Sequence, residues 1–374
     1  MVDFNEFVVM RGKNLEELNR AIDKVIEEKK SMDLDYDLME KVLGRMVRNV
    51  RSIDIDPTTV VTPMKKEEML KVTLDFFKSI DPELHRKAVD TILQHSDNIK
   101  MRIYNVHEIE DFKKRDEKGI LKYTTNGNVY STNGYATVHV PTKTQLDSKG
   151  EKILNKDECT LQDLYTTVHE ISHLFDLDLE LGKPDKEELE GGAGRRKTRI
   201  AREIFGEATT IAFEGMLTEY LLENRLYSKE SVQQISNRTL NSNLQDARLV
   251  YAKLLLAKEK SLDGEITPEY IEEFMRDNGF STQYIRRMAD NIIHDPRDML
   301  FEKRYALGGL IAPTIIKKYR EEGASTLKRY LEESKNENFE GAMDALGIEL
   351  NQEGINQLII NMKDYISRVN AKTR

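Results

Sequence analysis

The sequence has no tryptophan, one cysteine (Cys159) and only eight prolines in 374 residues. A single thiol excludes an intrachain disulfide and any zinc site built from cysteines, so a metal would have to be held by histidine and carboxylate. No apolar run approaches the roughly 20 residues that span a bilayer. The first residues, Met1-Val2-Asp3-Phe4-Asn5-Glu6, lack the basic and apolar regions of a secretory leader. Positive charge is also in deficit: 57 Lys and Arg against 66 Asp and Glu give a net charge of −9. Without a basic stripe, neither nucleic acid nor an anionic membrane is an expected partner. These absences lead to the expectation of a cytoplasmic protein, a leaderless export route being invisible to such features.

What the chain has is charge and helical periodicity. Charged residues make up 33% of it, and the length suffices for a large core, as one big domain or one with a small appendage. Asn14 to Met32 reads as an amphipathic helix, with Leu15, Leu18, Ile22 and Val25 apolar and Asn14 with Glu17 as a capping pair. A second helix follows from about Asp35, carrying Leu38, Val42, Met46 and Val50. Pro57 and Pro63 break the pattern and mark a boundary, giving an N-terminal helical segment over 1–60 and a main domain over 61–374. Helices are expected at Lys65–Ser79 and at Pro82–His95, the latter with Asp81 as cap and Pro82 in the first turn. His85, His95 and His107 read as surface residues.

Near Lys122 the period changes to alternation. Val129-Tyr130-Ser131 and Tyr135-Ala136-Thr137-Val138-His139-Val140-Pro141, around Asn133-Gly134, read as a β-hairpin or two short strands around a tight turn. Pro141 suggests an edge strand open to an extended peptide. Further helices are expected at Thr198–Asn224, Asp246–Lys260, Thr267–Asn278, Ser281–Ile293, Phe301–Glu322 and Ala324–Lys335. The charged, glycine-rich run from Leu181 to Lys197 reads as a surface loop. It lacks the Gly-Lys-Ser/Thr ending and the preceding strand of a phosphate-binding loop.

One stretch carries chemistry: His169-Glu170-Ile171-Ser172-His173. Histidines four apart on a helix lie on one face, so that both imidazoles can reach one metal ion with Glu170 beside them as general base. Thr160-Leu161-Gln162-Asp163 resembles a capping box, with Asp in place of the usual Glu or Gln. Leu161, Leu164, Val168, Ile171 and Phe175 form the apolar face of the helix it would start. The alternative is a pair of core histidines satisfied by carbonyls. His139 is a weaker third ligand, better read as a strand residue near the cleft. On the Thr198–Asn224 helix, Glu207 and Glu214 face the same way, two turns apart, among Phe205, Ala208, Ala212 and Phe213. A carboxylate in such surroundings needs a partner, and a metal or a ligating imidazole would supply one.

Phe205-Gly206-Glu207-Ala208-Thr209-Thr210, then Glu214, Leu217 and Glu219-Tyr220-Leu221-Leu222, resembles the second metal-site helix of the thimet oligopeptidase and oligoendopeptidase F family of zinc metallopeptidases (gluzincin type). Gly127-Asn128-Val129-Tyr130-Ser131 with Gly134-Tyr135, and Arg304-Tyr305-Ala306-Leu307-Gly308-Gly309, resemble the runs on either side. The likeness covers about Tyr123 to Leu350. It implies a mainly α, helical zincin-type fold with a small sheet or hairpin beside the cleft, and 61–374 as the catalytic domain. It further implies one Zn2+ per chain on His169, His173 and Glu207, with Glu214 supporting a ligand histidine. Tyr305, with His294 as the second candidate, would stabilise the oxyanion.

The implied activity is zinc-dependent hydrolysis of oligopeptides; the alternatives are a protease dedicated to one protein substrate and an inactive peptide-binding relative. The departures are a short chain, a 34-residue gap from His173 to Glu207, Ser172 in place of the motif's glycine, and missing companion tyrosines around Tyr305.

Overall fold

The computed structural model describes residues 36–50, 62–95, 98–116, 121–132, 135–142, 158–176, 194–263, 268–277, 303–335, 339–349 and 351–371. The elements, in order, are α1 (Tyr36–Asn49), β1 (Pro63–Lys65), α2 (Lys66–Ile80), α3 (Pro82–Ile92), β2 (Ile99–Asn105), β3 (Asn128–Thr132), β4 (Tyr135–Thr142) and β5 (Glu158–Thr160). They are followed by α4 (Leu161–Asp176), α5 (Gly194–Glu223), α6 (Lys229–Asp263), α7 (Pro268–Asp277), α8 (Lys303–Glu322), α9 (Ala324–Lys335), α10 (Phe339–Ala345) and α11 (Gln352–Val369). The protein is mainly helical, as expected, and its described residues form two small sheets where a single small sheet or hairpin was expected. The helices expected at Asn14–Met32 and Ser281–Ile293, and most of the glycine-rich run, lie outside the described residues. No described helix is long and apolar enough to cross a membrane.

The chain divides into two compact units. One comprises Met1–Ser52 with Asn241–Leu307, the other Ile53–Leu240 with Gly308–Arg374. In the first, Val42, Met46 and Val50 are buried, as their helical spacing requires. Gly44 gives Tyr251 its place: a Cβ there would come within 2.8 Å of the ring.

In the second unit, local signals start the elements. Asp81 accepts from the amides of Glu83 (2.8 Å) and Leu84 (3.3 Å), capping α3 ahead of its first-turn proline. Asn351 does the same for α11 through Glu353 and Gly354. The capping box of α4 is reciprocal: the Thr160 amide donates to Asp163 Oδ2 (2.7 Å), and the Asp163 amide donates to Thr160 Oγ1 (3.2 Å). Leu161, Leu164, Val168, Ile171 and Phe175 are all buried. Phe77, Phe175 and Phe213 pack with ring centroids 5.2–5.7 Å apart, locking α2, α4 and α5 together. Each such ring contributes about 2–3 kcal/mol by leaving water.

The three-stranded sheet has the order β2-β4-β3, with β2 parallel and β3 antiparallel to β4. β4 is therefore the central strand, which corrects the expectation drawn from Pro141. That residue is opposite Tyr104 of β2, but β3 pairs with β4 only as far as His139. The proline falls where β4 has a neighbour on one side alone, so its missing N–H costs no ladder bond there. β4 and β3 both pack on α4, which puts the sheet beside the metal-motif helix.

Candidate metal centre

α4 and α5 pack against each other and bring three side chains together. The ligand atoms of His169, His173 and Glu207 all lie within 4.8 Å of one another. His169 and His173 stack one turn apart, with ring centroids 4.9 Å apart and near-perpendicular planes. His169 Nε2 is 3.6 Å from Glu207 Oε2. On the far side of that ring, His169 Nδ1 is 2.6 Å from Glu214 Oε1. A carboxylate accepts, so Nδ1 carries a proton, and Nε2 is the nitrogen that faces Glu207.

The electrostatics favour positive charge at His169. Burial alone would keep His169 neutral, but the hydrogen bond to Glu214 and the charges of Glu214, Glu170 and Glu207 outweigh it and raise its pKa to about 10. In the metal-free protein the protonated ring carries the positive charge that these three carboxylates favour, and a bound cation would take over that part. Two imidazole nitrogens and a carboxylate oxygen are also the donors that a divalent transition metal such as zinc takes. The residues therefore fit such an ion.

Glu170 is buried (5% exposed), and its Oε2 has no hydrogen-bond partner among the described residues. Burial, helped by Glu207 and Glu214 and opposed by His169, pushes its pKa up to about 7. Ser172, which stands where the motif usually has glycine, is fully buried and donates to the Val168 carbonyl (2.7 Å), so its hydroxyl is satisfied within the helix.

His139 is not among the three converging side chains. It is fully buried in β4, with Nδ1 3.2 Å from the Tyr104 hydroxyl. Tyr305 lies in α8, half-buried, with the Arg304 guanidinium 4.8 Å from its ring centroid. It belongs to the unit that does not contain the histidines. His294 is outside the described residues.

Two glycines at the site were not singled out as site residues from the sequence. A Cβ at Gly308 would come 2.9 Å from the Ala208 amide and 3.1 Å from Glu207 Cβ, so glycine lets α8 lie directly on the backbone at Glu207. Gly127, just before β3, makes the same kind of approach to Glu170: a Cβ there would stand 2.9 Å from Glu170 Cδ. The only sequence signal for either is its place in the runs that carry the family resemblance.

No protein-family model and no curated protein sequence matches the chain. Solved structures do. A protein of Chlamydophila abortus designated a peptidase matches over 95% of this chain and 55% of its own, with a TM-score of 0.54 at 12% identity. A Bacillus anthracis str. Ames protein designated an oligoendopeptidase F (TM-score 0.46, 12% identity) matches over 95% of this chain and 56% of its own. PZ peptidase A bound to an inhibitor (TM-score 0.47, 12% identity) matches over 95% and 59%. The chain thus spans a little over half the length of these proteins, and at this identity what it shares with the Chlamydophila abortus protein is the fold.

Proposed function

We propose that the chain is a zinc-dependent peptidase that hydrolyses peptide bonds of oligopeptides, with Glu170 as the general base. The observation that carries this reading is the convergence of His169, His173 and Glu207 within 4.8 Å, with the carboxyl of Glu170 buried one residue from the first ligand. The peptidase designation of the structural neighbours supports it.

His169 and His173 from α4 and Glu207 from α5 would hold the ion, with Glu214 fixing the tautomer of His169 through Nδ1. A zinc with three protein ligands supplies a Lewis acid and a bound water whose pKa falls to about 7. The remaining chemistry belongs to the chain. Glu170, with a pKa raised to about 7, is matched to taking a proton near neutrality and giving it up again. It accepts the proton of the attacking water and passes it to the leaving amine nitrogen. Tyr305 is proposed as the oxyanion donor, with His294 second, on the sequence resemblance alone.

The test is Glu170→Gln, which keeps the side-chain size but cannot accept the proton. Turnover of a peptide library should fall at least about 100-fold while zinc stays bound. Near-wild-type cleavage by the zinc-loaded variant would falsify the role of Glu170.

A further inference from the structure

The segment leading into β3 is tied down with unusual care for a connection. Arg102 of β2 donates to the Lys122 carbonyl and pairs with Asp116, both at 3.2 Å. The Tyr104 hydroxyl accepts from the Thr124 amide (2.6 Å), lies 3.1 Å from the Thr124 carbonyl, and is backed by the buried His139. Thr124 Oγ1 then donates to the Asn126 carbonyl (2.6 Å). The next residue is Gly127. A Cβ at this position would overlap Glu170 Oε1 and come within 2.9 Å of Glu170 Cδ and 3.0 Å of Thr166 Cγ2. The backbone at 127 therefore lies against the carboxylate from one side, while α4 holds it from below. Glu170 Oε1 faces this wall, and Glu170 Oε2 is buried with no hydrogen-bond partner among the described residues.

We infer that Gly127, held by Tyr104 through Thr124, is the positioning residue for Glu170: its bare backbone leaves the space that Oε1 occupies and so sets the rotamer of the carboxylate. This rests on the general-base reading of Glu170. A glycine is required because any side chain would occupy the space of Oε1 and turn the carboxyl away. The requirement would hold even where the backbone conformation at 127 suits other residues.

The test is a double-mutant cycle in the full-length, zinc-loaded protein. Gly127→Ala should lower kcat by about 10–100-fold, the scale expected for misplacing a reacting group by about an ångström. KM and the zinc content should hardly change. Glu170→Asp is itself slow, but its carboxyl is one methylene shorter and withdraws from residue 127. Adding Gly127→Ala to it should therefore cost less than about threefold more. Equal losses in both backgrounds would reduce Gly127 to a folding residue, and a raised KM with kcat kept would make it a substrate contact; either overturns the inference.

Thermal midpoints give a readout independent of activity. Gly127→Ala should lower the midpoint in the wild-type background and lower it clearly less when Glu170 is already Ala, where only the contact with Thr166 remains. A drop of the same size in both backgrounds overturns the contact while leaving the general base standing. An active, zinc-loaded Glu170→Gln protein instead overturns the reading on which the inference rests.

Discussion

At the scale of single residues, the site is a set of paired demands. His169 faces acids on both sides, Glu214 at Nδ1 and Glu207 near Nε2, so its orientation is fixed before any ion arrives. Glu214→Gln keeps the shape but exchanges a charged acceptor for an amide. It should weaken zinc binding by roughly 10–100-fold, the usual effect of losing the partner of a ligating histidine. Competition against a calibrated chelator measures this, and unchanged affinity would free Glu214 from the role. Much of this level was legible in the sequence. The four-residue spacing of the histidines around Glu170, and two carboxylates among phenylalanines and alanines, named His169, Glu170, His173, Glu207 and Glu214. Gly127 and Gly308 were not legible as site residues, because a glycine's value here lies in what comes close to it in space, and sequence spacing does not encode that.

At the scale of elements, α4 and α5 are the frame, and α8 presses on it at Gly308. The atoms that a Cβ at Gly308 would meet include backbone, the Ala208 amide at 2.9 Å and the Glu207 carbonyl carbon at 3.1 Å, which cannot swing aside as a side chain could. Gly308→Ala should push the helices apart, cost about 1–3 kcal/mol of stability and weaken zinc binding along with it. Isothermal titration with zinc and urea unfolding of the same variant check both effects; loss of stability with unaltered affinity would separate α8 from the ligand.

The start and the apolar face of α4 were readable, because cap and apolar stripe agree. α6 was not: the sequence suggested a start at Asp246, and the helix begins at Lys229. Its first half carries amides where an apolar stripe would be expected, with Asn237, Asn241 and Asn243 buried. Asn237 is satisfied by a distant partner, Asn370 of the segment after α11. Likewise α5 starts at Gly194 rather than Thr198. β2 was missed because its partner β4 lies more than 30 residues on, and β1 and β5 because three residues make no pattern.

At the scale of the whole molecule, buried titratable groups link the fold to pH. His139 has no exposed surface, and burial, with Arg102 nearby, lowers its pKa to about 4 from an ordinary 6.5. The unfolded chain therefore binds the proton more readily than the folded one between these values. Stability conferred by the neutral imidazole is complete above about pH 6.5 and drains away as the pH falls towards 4, by about 2–3 kcal/mol in all. Urea midpoints at pH 7.5 and 4.5 should show this loss, and His139→Gln should show a smaller difference between the two. An equal difference in the variant would place the acid sensitivity elsewhere. Fold class was legible from composition and period, whereas the division into units was not, since one of them joins Met1–Ser52 to Asn241–Leu307, segments far apart in the chain.

The most direct measurement is a zinc titration of metal-stripped protein, followed by cleavage of an oligopeptide library. Activity should be absent from the stripped chain and rise to a plateau at about one zinc per chain, and His173→Ala should show neither stoichiometric binding nor cleavage. Peptide hydrolysis that persists without metal, or a plateau at one zinc in His173→Ala, would contradict the account.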